Sequence, residues 1–142
     1  MKIKQISLFA ENKRGHVAAP ARLLAEQGID IRALFLAETE QFGILRLIVS
    51  DWERAAKALE DGGFTVKVTE VLAVEVGDQP GGLAEVLSAL DTCGINIEYM
   101  YAFPRFRVDR AILLFRFAAP DEAIACLQEA GINVLASEDL LR

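Results

Sequence analysis

The sequence predicts an α+β protein made of two consecutive copies of one β-α-β-β-α-β unit. Three observations lead there. Gly15 and Gly81 stand 66 residues apart, as do Gly28 and Gly94, and across that offset Val17 meets Leu83, Leu24 meets Leu90, Ile29 meets Ile95, Asp30 meets Asn96 and Ile31 meets Ile97. Beyond the hairpin the offset becomes 68, so Leu59 falls on Leu127, Gly63 on Gly131, Phe64 on Ile132 and Val66 on Val134. Strand-like and helix-like apolar spacing alternate in the same order in both halves, which is how a duplicated unit reads in sequence.

Two such units imply two tandem ferredoxin-like sandwiches, each an antiparallel sheet with helices on one face. The division falls at residues 1–70 and 71–142, with almost no linker, because Val66 to Val76 must close one sheet and open the next. Each unit is small for independent stability, so mutual burial is expected. Taken in order, Lys2 to Phe9 reads as a strand and Glu11 to Gly15 as a polar turn. His16 to Gln27 is helical in pattern, with Val17, Leu23 and Leu24 as anchors and Gly28 as the stop. Pro20 inside that pattern is tolerated only in an opening turn, so this helix is expected to start late or distorted. Ile29 to Glu38 is extended, Thr39 to Gln41 turns, and Phe42 to Ser50 is a strong strand. Asp51 is suited to cap the helix Trp52 to Glu60, which Gly62 and Gly63 end.

The second half repeats this, and its two extra residues fall in the loop Pro104 to Asp109, where insertion is best tolerated. In the strand after the first hairpin, Leu45, Leu47 and Val49 share one face, toward the helices or away from them. Ile44, Arg46 and Ile48 share the other. In the second unit Leu113, Phe115 and Phe117 oppose Ile112, Leu114 and Arg116. Alternation this weak implies that the second face is covered by the sister unit or by another chain, with Arg46 and Arg116 pairing with acidic residues across that contact. Tyr99, Tyr101 and Phe103 share a strand face and read as core or interface packing. Arg105, Arg107 and Arg110, with Phe106, read as a solvated hairpin tip.

Of the 142 residues, 53% are hydrophobic and the net charge is −6, which argues against a nucleic-acid or anionic-membrane partner. No apolar run reaches the roughly 18 residues of a membrane span, and MKIKQISLF lacks the features of a secretory signal. A cytoplasmic location is therefore expected. Cys93 and Cys126 lie in apolar helical contexts and read as buried, inert thiols rather than a disulfide or metal pair. With one histidine, no nucleophile–His pair, no Walker-type loop and no dinucleotide fingerprint, an enzyme is not expected, nor any cofactor or metal.

The chemistry sits in the turns. Pro80 presets φ, Gly81 and Gly82 permit tight backbone geometry, and the helix that follows offers unpaired N–H groups to an anion. Asp78-Gln79-Pro80-Gly81-Gly82-Leu83, followed by Gly94-Ile95-Asn96-Ile97, resembles the ACT domain, a ferredoxin-like regulatory module whose members commonly bind amino acids and control metabolic enzymes. Asn12-Lys13-Arg14-Gly15-His16-Val17 with Gly28-Ile29-Asp30-Ile31 resembles it with departures, Arg14 replacing the proline before Gly15. The resemblance spans nearly the whole chain, in tandem.

It implies an effector, an amino acid, held at the first turn and the start of the second strand, at a domain or subunit interface. The positions are Asp78, Gln79, Gly81, Gly82, Leu83, Asn96 and Ile97, with Asn12, Gly15, His16, Val17, Asp30 and Ile31 as their counterparts. Helix-start N–H groups would take the α-carboxylate, while Asp78 or Asp30 would take the α-ammonium. Read without the resemblance, His16 is a partly exposed turn residue. The reading is of a non-catalytic regulatory homodimer. Its alternatives are a ligand-free assembly module and a regulatory subunit of an amino-acid-biosynthetic enzyme.

Overall fold

The computed structural model describes residues 1–38, 40–107 and 109–141, and of Glu38, Arg105, Phe106 and Arg107 the backbone only. The chain divides into two compact units. One is Lys4–Thr69; the other is Glu70–Arg142 together with Met1–Ile3.

The first unit contains β1 (Lys2–Glu11), α1 (Ala18–Glu26), β2 (Ile31–Glu38), β3 (Phe42–Val49), α2 (Trp52–Asp61) and the opening of β4 (Thr65–Gly77). β3 is the central partner, antiparallel to both β1 and β2. Ile6 lies opposite Leu47 and Leu8 opposite Leu45, while on the other side Leu34 meets Leu47 and Leu36 meets Leu45. Ile6, Leu8, Leu45, Leu47 and Val49 form one core with Leu24 of α1 and Ala55 and Leu59 of α2. Leu45, Leu47 and Val49 therefore point toward the helices. Each such buried aliphatic side chain contributes roughly 1.5–3 kcal/mol.

The helix starts follow their sequence. Asp51 caps α2, its Oδ1 accepting the N–H of Arg54 at 3.2 Å. Asp51→Ala should lower unfolding stability by about 1 kcal/mol, read as a lower urea midpoint with unchanged slope. α1 opens at Ala18, whereas the first helix of the second unit, α3 (Gly82–Thr92), opens at Gly82, whose counterpart in the repeat is His16. Pro20 accounts for the two-residue delay. It is the third helical residue, where an amide has no partner inside the helix and the missing N–H costs nothing.

The second unit contains the rest of β4, then α3 (Gly82–Thr92), β5 (Ile97–Arg107), β6 (Arg110–Phe117), α4 (Pro120–Glu129), β7 (Val134–Leu135) and α5 (Ser137–Leu140). β6 lies antiparallel to β4 and β5, and β7 adds to β4. Phe115 and Phe117 stack with ring centroids 5.4 Å apart. They pack with Val86 and Leu90 of α3 and Ala123, Cys126 and Leu127 of α4. Pro120 opens α4, where its fixed φ suits the first turn. Lys2 Nζ lies 2.9 Å from Asp121 Oδ1 at that helix start, and this hydrogen bond and charge hold the Lys2 ammonium above its ordinary pKa of 10.5. Both units are thus ferredoxin-like sandwiches with helices on one sheet face.

The second faces are unevenly covered. Ile48, Leu114 and Gln5 are fully buried, but Phe9, Phe35 and Phe42 remain 46%, 37% and 52% exposed. Phe9 lies opposite Ile44 and Phe35 opposite Arg46, so these aromatics share the face turned away from the helices. Arg116 finds an acidic neighbour within its own unit. Its Nε lies 3.5 Å from Glu98 Oε2 on the neighbouring strand of its own unit, and its Nη1 donates to the Glu70 carbonyl at 3.0 Å. Arg46 donates to Ser7 Oγ at 3.0 Å, also within its unit. Tyr101 and Phe103 are buried, as packing residues should be. The side chains of Arg105, Phe106 and Arg107 lie outside the described residues, while Arg110 pairs with Glu75 at 2.8 Å.

The cysteines correct the sequence reading. Cys93 and Cys126 are joined in a disulfide, with Cα atoms 6.3 Å apart. Only Cys126 is buried; Cys93 is exposed at the end of α3. Sequence spacing gave no metal or redox motif, and the pair arises instead because α3 and α4 lie side by side on the sheet.

Candidate functional site

The second-unit turn is built by two glycines with different tasks. Gly81 adopts φ 91°, the left-handed region that L side chains rarely enter. Gly82 is constrained by space, because a Cβ there would stand 1.9 Å from the Gly77 carbonyl oxygen. Its amide donates to the Gln79 carbonyl at 3.0 Å, and Asp78 N donates to the Asp109 carbonyl at 2.8 Å. Gly81 provides no side-chain cap to α3, so the amides of Leu83 and Ala84 have no partner inside the helix. Asp78, Gln79, Gly81 and Leu83 are exposed around them.

The first-unit turn has the same path and different chemistry. Gly15 adopts φ 86°, and Asn12 N donates to the Gln41 carbonyl at 3.0 Å. His16 stands where the twin has Gly82. Its Nδ1 makes a short contact with the Lys13 carbonyl, which as an acceptor favours the Nδ1–H tautomer. Nε2 is then an acceptor, and it is buried without a partner. The ring lies beside Gly43, where a Cβ would stand 3.6 Å from His16 Cδ2. A cleft of about 520 Å³ opens at this turn, lined by the run from Asn12 to Ala18. Lys13 and Arg14 bring positive charge to it, but α1 offers few free amides, because Ala19 N already donates to the Gly15 carbonyl at 3.1 Å and Pro20 has no N–H. These two cations were absent from the sequence-derived set, although their place inside the turn was the available signal.

The structure gathers only part of that set within a unit. Asn12, Gly15, His16 and Val17 meet at one turn, and Asp78, Gln79, Gly81, Gly82 and Leu83 at the other. Asp30, Ile31, Asn96 and Ile97 begin the strands that follow the helices, at the opposite helix end. α3 has 11 residues, which at the standard rise separates Gly82 from Asn96 by ~16 Å along the helix. Asp30 is also engaged, its Oδ2 3.3 Å from Arg32 Nε and its amide donating to Ser50 Oγ at 3.1 Å. A second cleft, of about 450 Å³, lies between α1 and α2, with Arg54 and Lys57 on its wall. Among the described residues there is no His, Cys, Asp and Glu group of three that could hold a metal, and no helix is long and apolar enough to cross a membrane.

Two ferredoxin-like sandwiches, each opening its first helix from a glycine turn, define a paired α+β module. The family comparison gives the same class and makes it specific: the chain belongs to the ACT domain family, matching the ACT domain pair over residues 1–142. Among solved structures it is similar to protein BT0572 from Bacteroides thetaiotaomicron, at 41% identity and TM-score 0.93, over 100% of this chain and 97% of that one. Its fold is also like the regulatory subunit of aspartate kinase from Thermus thermophilus, at 21% identity and TM-score 0.65, over 89% and 91% of the chains. The corresponding subunit from Thermus flavus is 20% identical with TM-score 0.62, over 90% and 92%. No curated protein matches the chain.

Proposed function

We propose that this protein is a non-catalytic regulator that binds an amino acid at its helix-start turns and acts as a homodimer. Residues 1–70 and 71–142 would be its two ACT domains. The observation that carries the reading is the pair of glycine turns whose helices begin without a side-chain cap. At the second turn the free amides of Leu83 and Ala84 suit an α-carboxylate, and at the first turn Lys13 and Arg14 supply charge of the right sign. His16 Nε2 is an acceptor for the α-ammonium there; at the second turn Asp78 takes that part. Since Asn96 and Asp30 lie a helix length from the turn of their own unit, their contacts to an effector would come from a second copy of the chain. Phe9, Phe35 and Phe42 supply an apolar face for that copy. Regulation follows if the effector favours one arrangement of the copies over another, because a ligand indifferent to both shifts nothing.

A thermal-shift screen of the twenty amino acids tests this. One or a few should stabilise the protein, by about 2.7 kcal/mol at a hundredfold excess over Kd. Gly81→Val and Asn96→Ala should remove the share of the shift that the second turn contributes. Flat responses throughout would sink the reading. The alternative, a subunit of a biosynthetic enzyme, is favoured by the same exposed aromatic face and by the fold likeness to regulatory subunits of aspartate kinase. Copurification with a larger catalytic chain would support it.

A further inference from the structure

The disulfide occupies a telling place in the repeat. Cys93 and Cys126 fall on Gln27 and Ala58 of the first unit, 66 and 68 residues earlier. Gln27 and Ala58 line the open cleft between α1 and α2. One unit therefore has a groove between its helices where the other has a covalent link. The two cysteines differ in access, with Cys93 exposed and Cys126 only 6% exposed. The site also suits the reduced pair. Cys126 Sγ lies 3.4 Å from the Ala89 carbonyl, an acceptor ready for its S–H. Cys93 is the C-cap of α3, and the chain leaves it through Gly94, at φ 70°, into Ile95-Asn96-Ile97. That corner is otherwise held by three backbone hydrogen bonds, from Cys93 N to Ala89 O, Gly94 N to Asp91 O and Ile95 N to Leu90 O, at 3.2, 3.0 and 2.9 Å.

We propose that Cys93 and Cys126 form a reversible thiol–disulfide exchange site, serving small disulfides and dithiols, whose oxidation locks the corner between α3 and β5. In oxidation the Cys93 thiolate attacks a disulfide such as oxidised glutathione, forming a mixed disulfide and expelling one glutathione thiolate. The Cys126 thiolate then attacks the Cys93 sulfur and expels the second. The two protein thiols lose two protons and two electrons, and both electrons reside in the released glutathione. Reduction runs through the same accessible sulfur. A dithiol attacks Cys93, Cys126 leaves as thiolate and takes a proton, and the reductant's second thiolate closes its own disulfide, expelling Cys93 as a thiolate that takes the second proton.

The test equilibrates the full-length protein in glutathione buffers of graded reduced-to-oxidised ratio, alkylates free thiols and weighs the products. We expect conversion from two alkylated cysteines to an unalkylated species two hydrogens lighter than the dithiol, reversed by dithiothreitol. Cys126→Ser should instead stop at a mixed disulfide on Cys93. Two free thiols at every ratio, or a bond reducible only in denaturant, would overturn the proposal. Native-state hydrogen exchange then checks the lock: the amides of Cys93, Gly94 and Ile95 should exchange at least about tenfold faster in the reduced protein. Equal rates in the two states would overturn that part.

Discussion

Gly82→Ala should destabilise the protein by about 3 kcal/mol or more, the largest effect expected of any single methyl addition in the second turn. The added Cβ would stand 1.9 Å from the Gly77 carbonyl oxygen, and both are backbone, so no side chain can rotate away. β4 and α3 would have to separate at the start of the helix. Gly81→Ala is the matched control. Its Cβ meets nothing within 4 Å, and only its φ of 91° opposes the substitution. A cost of about 1 kcal/mol is expected there. Urea unfolding of the two variants against the parent checks both. If Gly82→Ala were no worse than Gly81→Ala, the packing of the turn against the end of β4 would be wrong.

Phe115→Ala should cost about 3–5 kcal/mol. Phe115 is fully buried, stacks on Phe117 and sits among Val86, Leu90 and Leu127, so its removal leaves a cavity lined by both helices and the sheet. Its counterpart Leu47, 1% exposed in the first core, should cost about 2–5 kcal/mol when cut to alanine. Urea unfolding of each variant against the parent checks both costs.

The duplication made most of the fold legible. A 66-residue offset tied Gly15 to Gly81 and Gly28 to Gly94, and each of these four residues adopts positive φ. Pro20 announced the late start of α1, and Asp51 the cap of α2. The Cys93–Cys126 bond was not legible from spacing, since 33 residues of separation say nothing until α3 and α4 are laid side by side. The repeat held a usable clue, because Gln27 and Ala58 are a facing pair between helices too. Arg116 was read toward an interface, but Glu98 on the next strand lay nearer, a cross-strand neighbour that appears only once the register is known.

The site was legible as two turns and less so as a constellation. Motif resemblance joined Asp78–Leu83 to Asn96, whereas the helix between them keeps them at opposite ends of one unit. Nor did the sequence show that the first turn, the departed copy, would open a cleft. The two turns differ at His16, which stands where the twin has Gly82. The glycine fits tightly beside Gly77, whereas the imidazole stands beside Gly43 with Lys13 and Arg14 around it.

The most direct test of an amino-acid-binding regulator is amide chemical-shift mapping of the isotope-labelled protein, titrated with each amino acid in turn. Saturable shifts centred on Asn12–Ala18, on Asp78–Leu83, or on both are predicted for at least one of them. No saturable shift with any amino acid, or shifts confined to the cleft around Arg54 and Lys57, would contradict it.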